Sequence, residues 1–320
     1  MEIAKVDLNG VEPHGAGWDA ARAAVTASVE AHGGVVVVAH DALGPDLLRP
    51  LFGRAIPELF ALPLDAKKRT ASAEGNYKGY FTKSGGMDME SLGFVGAANA
   101  DSVREFAGLL WPEGGNPELC ETITSFGKKM AKLVETVETL LLEGLGVRGE
   151  SIGAHLGMVG HSTFRVFRYG APPDRESSVS MGPPHCDYSM ATAIVQHEVE
   201  GLEVRAGDGR WHAVPPEPGT FAFLAGEQLR VVTNGRVPAC LHRVRTPSNR
   251  ERFSVLFGTR QNDGTDVRAL DDLVDAEHPL QFNPLRHEEY SKWRYSEKGG
   301  LKFEDPLKAY CGVDKDVAMA

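Results

Sequence analysis

Apolar residues recur along this chain in two rhythms, and the rhythm changes near residue 160. In the first half the spacing is mostly helical. Trp18, Ala21, Val25 and Val29 keep one face from Trp18 to about Ala31, where His32-Gly33-Gly34 stops the pattern. Two short strands flank this helix: Ile3, Val6 and Leu8 end at the Asn9-Gly10 turn, and Val35 to Val38 is a β-branched run too short for a buried helix. From Ala42 the stripe Leu47, Leu48, Leu51, Phe52, Ile56 and Phe60 predicts a second helix, kinked or split by Pro57. Residues 70 to 118 are crowded with turn formers and predict loop with short elements. Between Cys120 and Leu145, Ile123, Phe126, Met130, Leu133, Val137, Leu140 and Leu141 define a long amphipathic helix with a charged, solvated outer face.

From Thr163 onward the runs are short and β-prone, divided by Gly, Pro and Asp. They cover Thr163 to Tyr169, Ala191 to His197, Gly201 to Arg205, Trp211 to Val214, Thr220 to Leu224, Leu229 to Thr233 and Phe253 to Thr259. Strands at this spacing predict a sandwich or a jelly roll, with Asp208-Gly209 as a tight hairpin turn. The tail from Asp271 to Tyr310 predicts one or two helices packing back on the strands. With no repeat and no flexible linker, residues 1–320 are expected to form a single compact unit.

Composition narrows the field. A formal net charge of −10 argues against nucleic acid or an anionic membrane as partner, since both are held by basic surfaces. Four cysteines, far apart and without a CxxC pair, fit a reducing compartment. The first residues carry acidic side chains and do not read as a targeting peptide, and no apolar window is long enough to span a membrane, so a cytoplasmic protein is expected.

The candidate chemistry sits in Met181-Gly-Pro-Pro-His-Cys-Asp-Tyr188. In an extended segment side chains at i and i+2 leave one face about 7 Å apart, so His185 and Asp187 can address one point. His242 supplies a third donor. Two imidazoles and a carboxylate are the set that leaves positions open on a non-haem Fe(II) ion, although the same set also suits zinc. Cys186 and Cys240 lie near these residues, but a thiolate would favour a softer site. Arg252 and Ser254 alternate with Phe253, Val255 and Phe257, so they share the opposite strand face. A buried guanidinium needs a partner, for which a ligand carboxylate or a structural Asp or Glu would serve. The loop holding Tyr77, Tyr80, Phe81 and Met87 could cover a pocket, or its aromatics could simply pin it to the core.

His185-Cys-Asp187, His242 and Arg252-Phe-Ser254, in this order and spacing, resemble the plant Fe(II)/2-oxoglutarate-dependent dioxygenases. Val199-Glu-Gly-Leu-Glu-Val204, Trp211, Pro218-Gly-Thr-Phe221, Thr233-Asn-Gly235 and His242-Arg-Val244 extend the likeness, and Leu62-Pro63 with Lys67 resembles the N-terminal helical region. Trp111-Pro112, Gln196-His-Glu-Val199 and Leu273-Val-Asp-Ala-Glu-His-Pro279 are most similar to the glucosinolate side-chain dioxygenase-like group, with auxin-oxidising dioxygenases as near relatives.

The resemblance implies an α+β, mainly β fold: a double-stranded β-helix (jelly roll) core over 156–265, a mainly helical region over 1–155 and a helical tail over 266–320. It implies His185, Asp187 and His242 as Fe(II) ligands, with Arg252 and Ser254 on the distal carboxylate of 2-oxoglutarate and Tyr169 beside them. Tyr80, Phe81 and Met87 are the candidate substrate contacts. Two positions depart from the family: Phe167 stands where Asn is usual, and Glu227 where Asp is usual. The implied activity couples decarboxylation of 2-oxoglutarate to succinate and CO2 with oxidation by O2, hydroxylation by default, of a C–H bond in a small plant specialised metabolite or hormone, with ascorbate in support. A non-catalytic jelly-roll binding protein for a metal or organic acid, and a zinc hydrolase, are the rival expectations.

Overall fold

The structure, a computed structural model, describes residues 3–71, 78–83, 89–170, 179–180, 182–246, 250–297 and 299–313. Strands β1 (Lys5–Asp7) and β2 (Val35–Ala39) flank helix α1 (Trp18–Ala31). A helical stretch follows as α2 (Pro45–Pro50), a π turn over Leu51–Ala55, α3 (Ile56–Ala61) and α4 (Leu64–Lys68). Strands β3 (Gly79–Lys83) and β4 (Met89–Val95) lead into α5 (Ala100–Leu110), the long α6 (Pro117–Gly144) and α7 (Gly149–Met158). Next come β5 (His161–Tyr169), β6 (Val179–Ser180), β7 (Ala191–Gln196), β8 (Leu202–Arg205), β9 (Trp211–Ala213) and β10 (Thr220–Ala225). Helix α8 (Glu227–Val232) precedes β11 (His242–Thr246) and β12 (Arg252–Arg260), and β13 (Asp266–Val267), β14 (Leu285–Arg286), α9 (His287–Arg294) and α10 (Pro306–Cys311) close the chain.

Eight strands form one sheet in the order β1-β2-β10-β7-β12-β5-β4-β3, antiparallel throughout except for the β1/β2 pair. A second, four-stranded antiparallel sheet has the order β6-β11-β8-β9. The two-residue period of a strand sends alternate side chains to opposite faces. Val36, Val38, Ala193, Val195, Phe221, Phe223, Val255 and Phe257 therefore face the helices and join Val25 and Val29 of α1 and Ile123 and Phe126 of α6 in one apolar core. Their neighbours Val35, Val37, Ile194, Ala222 and Leu224 face the second sheet and pack on Leu202, Val204 and Val214. The candidate site lies between the same two sheets. No described helix is long and apolar enough to cross a membrane.

Two expectations are corrected. Leu229 to Thr233 is not a strand: these residues fall in and just after α8, whose first amides bond to carbonyls of the 187–190 loop, a tertiary constraint that overrides the β-branched valines. Residues 70–118 hold more regular structure than turn density suggests. In α5, Val103, Phe106, Ala107 and Leu110 form a buried stripe behind an Asn99 cap, while β3 and β4 extend the large sheet. The second helix is in parts, as expected: a π turn over Leu51–Ala55 joins α2 to α3, whose second residue is Pro57. His242 begins a strand, β11, that short apolar runs did not reveal.

Candidate metal centre and active site

His185, in the loop between β6 and β7, and His242, the first residue of β11, face each other, each donating its backbone N–H to the other's carbonyl at 3.0 Å. Their rings lie 4.4 Å apart by centroid. Asp187 completes the cluster: its Oδ1 is 3.6 Å from His185 Nε2 and 3.9 Å from His242 Nε2. One donor atom from each of the three residues lies within 4.8 Å of the others. His185 Nδ1 is 3.2 Å from the Pro183 carbonyl and His242 Nδ1 is 3.1 Å from the Cys240 carbonyl. A carbonyl only accepts, so both Nδ1 atoms carry the proton and both Nε2 lone pairs face the common point. Thr192 donates its hydroxyl to Asp187 Oδ2 at 2.7 Å, turning Oδ1 toward the imidazoles. Burial raises the Asp187 pKa, but His242, His185 and the Thr192 hydroxyl outweigh it and hold the carboxyl below its ordinary value. Two neutral imidazoles and an ionised carboxylate with oriented lone pairs fit a divalent first-row cation. Neither cysteine joins them. Cys186 donates its thiol to the Ala239 carbonyl at 3.5 Å, and burial pushes it up to about 12.

Arg252 opens β12 and is 1% exposed. Its guanidinium donates to Gln196 Oε1 at 2.8 Å and Ser254 Oγ at 3.2 Å, and lies 4.9 Å from the Tyr169 ring centroid. Ser254 and Arg252 both hydrogen-bond the Tyr169 side chain. Its Nε finds no partner among the described residues, and no described carboxylate forms an ion pair with this guanidinium. Burial lowers the Arg252 pKa. The structural Asp or Glu that might have neutralised it is therefore missing from the described residues, and a buried charge without a counter-ion fits an anionic ligand. Gly201 lies against the same group: a Cβ there would meet Arg252 Nε at 2.8 Å and Cδ at 2.9 Å.

Beside Asp187 and Thr192 a cavity of about 640 Å³ opens, walled by Thr163, Val95, Leu256 and Gly258 of the large sheet and by His287 and Ser291 of α9. A groove of about 690 Å³ between α5 and the start of α6 contains none of the candidate residues. Tyr188 stacks on His287 with centroids 5.1 Å apart and meets Tyr295 edge-on at 6.0 Å. Gln228 accepts the Gln261 backbone N–H on Oε1, which commits its Nε2 to donate to the Tyr188 carbonyl and to His287 Nδ1. His287 thus carries its proton on Nε2. Burial, with Arg260 nearby, pushes its pKa down to about 4.

The substrate candidates fare differently. Tyr80 pairs with Leu92, and Phe81 with Ser91, which pairs in turn with Phe167. Consecutive strand residues cannot share a face. Tyr80 points to the helix side, where its hydroxyl donates to Glu90 at 3.2 Å and Lys67 lies 5.4 Å from its ring centroid, so it does not reach the cavity. Phe81 is on the inner face of an edge strand, 40% exposed, and is not part of the cavity wall. Met87 and Tyr77 lie outside the described residues. Phe167, at the family's Asn position, stacks on Tyr169 at 5.8 Å and offers no polar contact. Sequence reasoning missed Thr192 and Gln196, although two polar residues alternating with Ile194 in an otherwise apolar strand were a usable signal. It also missed the α9 wall, which no local pattern connects to residue 187.

Residues 160–260 match the family model described as the 2OG-Fe(II) oxygenase superfamily. The chain belongs to that superfamily and is an enzyme, a 2-oxoglutarate-dependent dioxygenase. It is 30% identical over 293 residues to the probable 2-oxoglutarate-dependent dioxygenase AOP1 of Arabidopsis thaliana, covering 90% of this chain and 94% of the relative. The 2-oxoglutarate-dependent dioxygenase AOP3 of the same plant is 25% identical, with 81% and 85% covered. Among solved structures, the rice dioxygenase for auxin oxidation superposes with a TM-score of 0.79 at 25% identity, over 97% of this chain and 100% of that one. JOX2 in complex with 2OG, Fe and JA shares the fold at a TM-score of 0.75 and 22% identity, over 93% and 86%.

Proposed function

We propose that this dioxygenase hydroxylates a C–H bond of a small plant specialised metabolite or hormone, releasing succinate and CO2, within a jelly-roll core. His185, Asp187 and His242 hold Fe(II), and Arg252, Ser254 and Tyr169 hold the distal carboxylate of 2-oxoglutarate. Fe(II) bound there supplies O2 activation coupled to decarboxylation of the keto acid. The chain's own residues do the positioning. The Pro183 and Cys240 carbonyls fix the imidazole tautomers and Thr192 aims Asp187. Gln196 and Ser254 hold the Arg252 fork, so an incoming carboxylate meets donors already in place. The cavity beside Asp187 holds the substrate, with His287 Nε2–H available as a hydrogen-bond donor.

The observation that carries this reading is Arg252: buried, fixed on two sides, and without a carboxylate among the described residues. Auxin, the compound class named for the rice neighbour, is the first substrate to try. A cytoplasmic setting is supported by four cysteines free of disulfides. The test is anaerobic incubation with Fe(II), ascorbate, 2-oxoglutarate and auxin or plant extract, followed by air and mass spectrometry. Oxygen-dependent succinate together with a product gaining one oxygen atom is expected. Turnover that persists without oxygen would sink the proposal and favour zinc hydrolysis instead.

A further inference from the structure

We propose that Glu227, Tyr290 and Arg294 form a clasp that positions the His185–Asp187 loop, so that helix α9 is part of the framework of the metal centre. The inference rests on His185, Asp187 and His242 being the metal ligands. Arg294 and Glu227 are almost fully buried, with side chains 5% and 4% exposed. Arg294 divides its fork between two tasks. One terminal nitrogen, NH1, donates to Glu227 Oε1 at 2.7 Å and Oε2 at 2.6 Å, and the other, NH2, donates to the Cys186 carbonyl at 3.0 Å. Cys186 is the residue between the two ligands. Tyr290, one helical turn earlier, donates its hydroxyl to Glu227 Oε2 at 2.8 Å.

Glu227 holds the loop from the other side. Its own backbone N–H donates to the Asp187 carbonyl at 2.8 Å, followed by Gln228 N–H on the Ser189 carbonyl at 3.0 Å, while Gly226 N–H takes the Met190 carbonyl at 2.9 Å. That approach leaves no room at Gly226, where a Cβ would lie 2.0 Å from the Ser189 carbonyl oxygen. The carbonyls of Cys186 and Asp187, one on each side of the Asp187 Cα, are thus tied to one carboxylate-centred group, through side chain and backbone together. An ion pair that only glued α9 to the body of the protein would not need the contact to Cys186. An Asp at position 227, one methylene shorter, would start from the same backbone anchor and fall short of Arg294. The same helix presents His287 and Ser291 to the cavity from the stripe that also carries Tyr290 and Arg294, so the element that walls the cavity also holds the ligand loop.

Cobalt(II) titration followed by visible absorbance tests this, because the d–d band reports ligand geometry independently of turnover. Arg294→Lys keeps the charge opposite Glu227 but has one nitrogen for two tasks, and Glu227→Asp withdraws the carboxylate. Both are expected to weaken Co(II) affinity tenfold or more and to alter the band, with a smaller loss for Tyr290→Phe. Should either single variant fail to fold, the double variant Glu227→Leu/Arg294→Met removes both charges and leaves none unpaired in the interior, and the same loss is expected. Wild-type affinity and an unchanged band in Arg294→Lys or in the double variant would overturn the clasp. Asp187→Ala separates the two levels of the argument: if wild-type Co(II) binding survives that change, the ligand assignment fails and the clasp fails with it.

Discussion

The space between the two sheets is filled in opposite ways on its two sides. Beneath β2 and β10, Val35, Val37, Ala222 and Leu224 meet Leu202, Val204 and Val214 in an apolar cluster. Beneath β12, β5 and β4, the same pleat presents Arg252, Ser254, Tyr169, Arg165 and Ser91, all nearly inaccessible to solvent. The first side obtains its stability from transfer of apolar surface out of water. The second gives up that gain and carries a desolvated guanidinium with no described counter-ion, which lowers stability unless a ligand arrives. Stability and binding should therefore respond to substitution in opposite directions on the two sides.

The largest expected effect is on the polar side. Arg252→Met should weaken 2-oxoglutarate binding by about 100-fold or more, the loss of a charge-assisted bidentate contact, as read by calorimetry with the metal present. Thermal stability without 2-oxoglutarate should hold or rise, and a marked fall would mean that the charge has a structural partner. On the apolar side, Leu224→Ala should cost about 2–5 kcal/mol in denaturant unfolding while the affinity of the folded fraction for 2-oxoglutarate stays unchanged. Gly201→Ala sits at the boundary. Its methyl group has to displace Arg252, so 2-oxoglutarate affinity should drop about tenfold, near 1.4 kcal/mol, without the unfolding penalty of a core cavity.

Tyr169→Phe removes one hydroxyl that Arg252 and Ser254 share and should cost about 1 kcal/mol of co-substrate binding, a few-fold change. The last effect is confined to acid and is a pH limb. His287 is held down to about 4 against an ordinary 6.5, so between these values the unfolded chain takes up a proton that the folded chain refuses. Its contribution makes stability fall as pH drops from 6.5 toward 4 and vanishes above 6.5. His287→Phe should flatten that limb in a melting-temperature profile, and an unchanged profile would show that the ring protonates freely in the folded protein.

The Arg252 side of the site was legible because Arg252 and Ser254 lie on one regular strand. The alternation of Phe253, Val255 and Phe257 settled which way Arg252 and Ser254 point, and the helix-facing core confirms that face. The same two-residue rule shows why Tyr80 and Phe81 could not both line a pocket once Gly79–Lys83 became a strand. Turn-forming residues around that segment hid the strand itself. Leu229 to Thr233 misled for a different reason: β-branched residues favour strands only weakly, and the amide bonds from α8 to the 187–190 loop are contacts between segments about forty residues apart. Glu227 was conspicuous as a departure from the family, yet nothing near it pointed to Arg294.

By itself the sequence determined the donor atoms, their spacing along the chain and the faces on which strand residues lie, because side-chain chemistry and backbone period are local properties. Only the tertiary structure decided that Arg252 has no described carboxylate beside it, that Gln196 bonds Arg252 and Thr192 bonds Asp187, and that α9 reaches the loop between His185 and Asp187. Those are statements about which distant segments end up adjacent. Burial and pairing across such distances are set by how the whole chain packs, and no window of sequence contains them.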